Sequence, residues 1–237
     1  MKIDDTRAAR LNRVNVQRMS REQQLGRDRR ELSDAELKAI TRQTLLHYDE
    51  DAVGYWEGTK DHDVTQNVDA LLTSISAERP YKILDFGCGP GRDLIHFTAL
   101  AHEPVGLEGC LAFVEMASQK SGCAVLHQDF LALDLPRAHF DGVYANASLF
   151  HVPKQELPRV LRELWETLKA DGILFSSNPR GNNEEGWSGD RYGCFHTLDS
   201  WRRYGVEAGF EEIRLYYRPL GKPRDQQPWL ATVWRKA

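Results

Sequence analysis

No stretch of this sequence approaches the roughly 20 consecutive apolar residues that cross a bilayer, and the start from Met1 to Arg13 lacks the apolar centre of a secretion signal. Both absences point to a cytoplasmic protein with no membrane partner. Cysteine is scarce: Cys88, Cys110, Cys123 and Cys194 are the only four, and none forms a CxxC pair. Neither a disulfide framework nor a thiolate zinc site is indicated, and a reducing compartment suits the chain. A basic excess is missing too. The 31 Lys and Arg against 35 Asp and Glu leave a net charge of −4, so no global field gathers nucleic acid. There is no internal repeat and no low-complexity tract. What is present is the 41% hydrophobic content of an ordinary globular chain. Its length fits one α/β domain with an N-terminal extension.

Residues 1–32 carry many arginines and few apolar anchors, which reads as a charged, mobile arm. Ser33 with Glu36 three residues later resembles a capping box. Leu37, Ile40, Thr44 and Leu45 then follow at helical spacing, so a helix is expected from Ser33 towards Tyr48. A second box, Asp63 with Gln66, opens a helix running towards Ser76. From Tyr81 short apolar strands alternate with helical patterns, the signature of a parallel sheet covered by helices. Strands are expected near residues 81–86, 104–107, 124–127, 140–145, 173–177, 210–218 and 229–235. Helices are expected near 92–101, 110–119, 154–169 and 198–208. The organisation read from this is an arm at 1–32, a helical lid at 33–78 and a ligand-binding domain at 79–237.

The chemistry centres on Asp85-Phe86-Gly87-Cys88-Gly89-Pro90-Gly91. An acid ends an apolar strand, three glycines stand at alternate positions, and a helical pattern follows. Glycine is needed where the backbone takes positive φ or where a ligand must approach the main chain without meeting a Cβ. Glu108, about twenty residues on at the end of the next strand, stands where an acid in a βαβ unit accepts bonds from ribose hydroxyls. After the third strand, Asp129 can accept from an adenine amino group while Phe130 covers the ring, although a turn role for Asp129 stays open. A nicotinamide-dependent oxidoreductase shares these features. Against it stand the acid directly before the turn, the G-x-G-x-G spacing and the lack of a Tyr-x-x-x-Lys pair.

These segments, with Phe140 to Asn146, Leu168 to Leu174 and Ala208-Gly209-Phe210, resemble in order and spacing the motifs of class I methyltransferases dependent on S-adenosylmethionine (SAM). The resemblance covers about Tyr81 to Lys236. It implies a three-layer α/β/α Rossmann-like sandwich whose seven-stranded, mostly parallel sheet has an antiparallel last strand. It implies SAM as cofactor and S-adenosylhomocysteine (SAH) as product; no metal is expected, because the cluster of acids that metal-dependent, catechol-type members require is not found here. Gly87, Gly89 and Gly91 would line the methionine part, Asp85 would anchor the turn and the cofactor's amino end, and Glu108 would hold the ribose. Asp129 and Phe130 would frame adenine, and Asn146 would lie under the sulfonium. The chain departs from the commonest pattern in having Glu108 for an aspartate and Cys110 where a hydroxyl often caps the next helix.

On the acceptor side, Asn146-Ala147-Ser148-Leu149 replaces the Asn/Asp-Pro-Pro-aromatic motif typical of enzymes that methylate amino groups of nucleic-acid bases. A small-molecule acceptor is therefore expected. An RNA or protein acceptor, suggested by the arginine-rich arm, and a non-catalytic SAM-binding protein are the alternatives. His62, in the lid, is the favoured general base, with Asp61 and Asp63 as orienting groups. His151, after the fourth strand, is the other candidate, touching cofactor or acceptor or else closing the turn before Pro153. Tyr48, Tyr55, Trp56, Arg180, Tyr192, His196 and Arg218 are the candidate acceptor contacts.

Overall fold

The computed structural model describes residues 31–237, so the expected arm lies almost wholly outside the described residues. Three helices lead: α1 (Asp34–Glu50), α2 (Ala52–Thr59) and α3 (Thr65–Leu72). The alternating part follows as β1 (Lys82–Phe86), α4 (Arg92–Ala99), β2 (Glu103–Glu108), α5 (Leu111–Ser121), β3 (Val125–His127) and β4 (Phe140–Asn146). A 3₁₀ turn at Leu149–His151 leads to α6 (Leu157–Thr167) and β5 (Leu168–Pro179). Then come β6 (Glu184–Ser188), β7 (Arg191–Phe195), α7 (Leu198–Glu207), β8 (Phe210–Arg218) and β9 (Trp229–Lys236).

The main sheet has the order β3-β2-β1-β4-β5-β9-β8. Neighbours from β3 to β5 are parallel, and β9 runs antiparallel to both β5 and β8. The expected seven-stranded sheet with its last strand reversed is thus the one found. Alternation along the strands feeds two cores, as a sheet covered on both faces requires. Leu84 and Phe86 of β1, Val143 and Ala145 of β4 and Leu174 of β5 pack on one face with Leu157, Val160, Leu161 and Leu164 of α6. Ile83, Tyr144, Ile173 and Phe175 turn to the other face and meet Val68, Leu71 and Leu72 of α3. α3 therefore belongs to the helical layer of the sheet, although it lies within the segment expected as lid.

Strand order reverses between β1 and β4, and the crevice outside the carboxyl ends at such a point is where open α/β sheets bind ligands. Three local expectations are corrected. Asp63 does not form the expected box, because its Oδ1 accepts the amide of Thr65 (3.0 Å) and α3 ends at Leu72, short of Ser76. α2 was not expected, since two glycines in its eight residues blur the period. Between the strand expected at 173–177 and the helix expected at 198–208, where no strand was expected, lies the β6–β7 hairpin, which turns at Gly189-Asp190 with Gly189 at φ 61.

Candidate active site

The glycine turn is held from outside itself. Gly87, Gly89 and Gly91 have φ of 77, 53 and 95. The amides of Gly87 and Cys88 donate to the Leu107 carbonyl (2.8 and 3.1 Å). The buried Glu108 carboxylate accepts from Gly89 N (3.0 Å) with one oxygen and from Gly109 N and Cys110 N (2.8 and 2.9 Å) with the other. Glu108 thereby clips the turns after β1 and β2 together. Burial raises its pKa, opposed by the three amides. Asp85 is buried, and its Oδ2 has no hydrogen-bond partner. Burial, then the nearby Asp93 carboxylate, push its pKa well up.

Two cavities open beside this turn. A cleft of about 80 Å³ runs between Glu108, Asp129 and Phe130 on the sheet side and Thr44, Tyr48 and His151 opposite. Asp129 Oδ1 accepts Leu131 N (2.8 Å), and Phe130 stacks on Phe86 with centroids 4.2 Å apart. The second cavity, about 560 Å³, is lined by Trp56, His62, Arg92, Asn146, Arg218 and Trp229. Tyr55, Gly87 and Ala147 line both.

A chain of polar side chains runs beneath the larger cavity. Tyr216 of β8 donates to Asn67 Oδ1 (2.9 Å), Asn67 Nδ2 donates to Asn146 Oδ1 (2.9 Å), and Asn146 Nδ2 reaches Asp93 Oδ2 at 3.5 Å. Arg92 grips both oxygens of Asp93 (2.7 and 2.8 Å) and donates to the Thr59 carbonyl (3.1 Å), which ties the end of α2 to the glycine turn. Sequence reading missed Asn67, Arg92 and Asp93. Asn67 left a signal as a polar residue amid the apolar positions of α3, and Arg92-Asp93 as a charged pair directly after Gly91.

The expected acceptor and catalytic residues separate into groups. Tyr48 and Tyr55 border the cleft; Tyr55, Trp56, His62 and Arg218 border the larger cavity. His62 is exposed, and neither Asp61 nor Asp63, whose Oδ1 accepts from Thr65, bonds its ring among the described residues. Arg218 Nη2 donates to the Asp63 carbonyl (3.0 Å). His151 lies between Tyr48 OH (2.8 Å from Nε2) and the Tyr192 carbonyl (2.6 Å from Nδ1). A carbonyl only accepts, so Nδ1 carries the proton and Nε2 receives the tyrosine's. Burial lowers the His151 pKa to about 4 and raises that of Tyr48 to about 12.

Arg180 and His196, expected at the acceptor, line neither cavity. Arg180 spends its guanidinium on the carbonyls of Gln227 and Arg224 (2.8 and 2.6 Å), and His196 is buried beside Trp201 and Tyr204. Tyr192 reaches the site through its backbone, accepting from His151 and donating to Thr44 Oγ1 (3.1 Å). Among the described residues no three His, Cys, Asp or Glu side chains gather to hold a metal, and no helix is long and apolar enough to cross a membrane.

Residues 83–172 match a family described as "Methyltransferase domain". An uncharacterized methyltransferase of Oceanobacillus iheyensis is 21% identical, covering 74% of this chain and 78% of that one. An O-methyltransferase of Aspergillus nomiae is 33% identical over 54% of this chain and 64% of its own length. Among solved structures, 1,6-didemethyltoxoflavin-N1-methyltransferase of Burkholderia thailandensis, with its acceptor and SAH bound, superposes with a TM-score of 0.71. It shares 20% identity, with 89% of this chain and 93% of that chain covered. The chain thus carries a class I methyltransferase domain. It is a SAM-dependent methyltransferase.

Proposed function

We propose that the protein methylates a small molecule held in the 560 Å³ cavity, chiefly by positioning it. The observation that carries this reading is the junction of that cavity with the cleft at Tyr55, Gly87 and Ala147. SAM supplies a methyl group already activated on a sulfonium, with a neutral leaving group. The residues fit such a cofactor. At Gly87, which borders both spaces, φ is 77 and a Cβ would stand 2.5 Å from Ser148 Cβ, so glycine is what lets the backbone line both. In this reading Gly87, which borders both cavities, lies against the methionine part, and Asp85, Gly89 and Gly91, which border neither, shape the turn behind it. Glu108 holds the ribose, Asp129 and Phe130 frame adenine, and Asn146, fixed by Asn67, lies under the reacting sulfur.

His151 is a poor base in this reading, because its free lone pair is taken by Tyr48 and burial keeps the ring neutral. His62, at the cavity mouth, is the imidazole able to take a proton from an acceptor that must lose one. α1 and α2 form the lid, and residues 79–237 with α3 form the catalytic body. A cytoplasmic setting suits the four free thiols. The Burkholderia neighbour's bound heterocycle supports a small acceptor.

The test is incubation with methyl-labelled SAM and a cell extract fractionated by size. Label in the small-molecule fraction is expected, whereas label in RNA or protein alone would overturn the acceptor class. A second expectation concerns Glu108→Ala. Three amides lose their charged acceptor, and one such bond is worth about 1.5–3 kcal/mol. SAH affinity measured by calorimetry should fall at least tenfold, and the melting temperature should fall with it. Unchanged affinity would remove Glu108 from the cofactor site.

A further inference from the structure

Of the three residues common to both cavities, Gly87 has no side chain and Ala147 only a methyl group, so Tyr55 contributes the one functional side chain at the junction. Its ring is fixed on two sides, edge-on to Tyr48 (centroids 5.4 Å, 87°) and tilted against Phe113 (5.1 Å, 42°). On a third side it faces the glycine turn: a Cβ at Gly89 would lie 3.9 Å from Tyr55 Cε1. The helix that carries it is pinned at both ends, by the Asp51 carboxylate on Gly54 N (3.0 Å) and by Arg92 on the Thr59 carbonyl. Packing alone leaves part of this side chain unexplained. Tyr55 remains 37% exposed, and its hydroxyl makes no hydrogen bond among the described residues.

The face of an aromatic ring is a site of negative potential that attracts a cation and is indifferent to a neutral group. A methyl group passing from cofactor to acceptor crosses where the two spaces meet. We infer that Tyr55 is the residue that distinguishes the cationic sulfonium of SAM from the neutral thioether of SAH, holding the reactant at the cavity junction and releasing the product. The inference rests on the proposed cofactor site. It gives the aromatic cluster of Tyr48, Tyr55 and Phe113 a purpose beyond lid packing, since two of the rings hold the third in place.

The experiment needs no acceptor. Calorimetric affinities for SAM and for SAH are compared in the wild type, in Tyr55→Phe and in Tyr55→Leu. Tyr55→Leu should weaken SAM at least fivefold and change SAH less than twofold, while Tyr55→Phe, which keeps the ring, should retain most of the preference. Equal losses for both ligands, or none for either, would overturn the assignment. If Tyr55→Leu is too unstable to compare, pentafluorophenylalanine introduced at position 55 keeps the ring's shape and reverses its quadrupole. It should lower the SAM-to-SAH affinity ratio by a similar factor, and an unchanged ratio there is equally decisive against the inference. Failure of the wild type to bind either ligand would remove the cofactor reading itself, which is a separate result from a wild type that binds both without a contribution from Tyr55.

Discussion

Gly91→Ala should lower the unfolding free energy by about 2–5 kcal/mol in urea denaturation, combining left-handed backbone strain with overpacking. Gly91 has φ 95, and a Cβ there would stand 2.7 Å from the Ala117 Cα and 3.3 Å from its carbonyl oxygen. These are backbone atoms in the middle of α5, with no rotamer to yield. The turn and α5 are therefore packed main chain to main chain, and the methyl group must push them apart. Gly122 provides the control. It too has positive φ, 71, but a Cβ there meets nothing within 4 Å, so Gly122→Ala should show strain alone, about 1–2 kcal/mol. Equal losses in the two variants would mean that the turn relaxes at no cost. Because the same turn borders both cavities, SAH binding should weaken in Gly91→Ala and stay unchanged in Gly122→Ala.

Acid should expose a second vulnerability, at His196. Neither ring nitrogen has a hydrogen-bond partner, and the ring is buried against Trp201 and Tyr204. Burial, followed by the positive charge of Lys154, lowers its pKa to about 4, with Glu185 pulling the other way. The unfolded chain binds a proton here near pH 6.5 and the folded chain only near 4. As pH falls through that window the unfolded state holds more protons, and folding stability is lost by up to about 1.4 kcal/mol per pH unit. Above pH 6.5 the effect vanishes. His151, also lowered to about 4, acts in the same direction. Asp85 and Glu108, raised by burial, act oppositely, losing stability as pH rises through their window. A comparison of wild type with His196→Phe cancels everything the two proteins share. Between pH 6.5 and 5 the variant should lose about 1.6 kcal/mol less than the wild type. Parallel stability curves would show that water or a shift of the chain satisfies the imidazole.

The sheet was legible because its strands are buried on both faces and its helices on one, so that apolar runs and helical periods alternate from Tyr81 onward. The glycine turn was legible because positive φ and close packing at residues such as Gly91 leave glycine little competition. The hairpin was not, because Glu184, Glu185 and Ser188 carry no alternation; the Gly189-Asp190 pair between Trp187 and Tyr192 was the turn signal to use. Side-chain partners were the least legible part. Nothing local in His151 foretold a tyrosine 103 residues away or the Tyr192 carbonyl, and nothing local in Arg180, a candidate acceptor contact, foretold its bonds to the carbonyls of Arg224 and Gln227. Such pairings depend on long-range closure, which leaves no trace in spacing.

The reversed strand β9 sets an order on biosynthesis. Its residues, 229–236, come off the ribosome after β8, yet they sit between β5 and β8 in the sheet. Until they have been made, β8 has no neighbour to pair with, and β5 presents an unpaired edge flanked by Ile173, Leu174 and Phe175. A released chain that ended at Pro228 would therefore expose a sticky strand beside a nearly finished core. Truncation there should lead to aggregation far more readily than truncation just after β9.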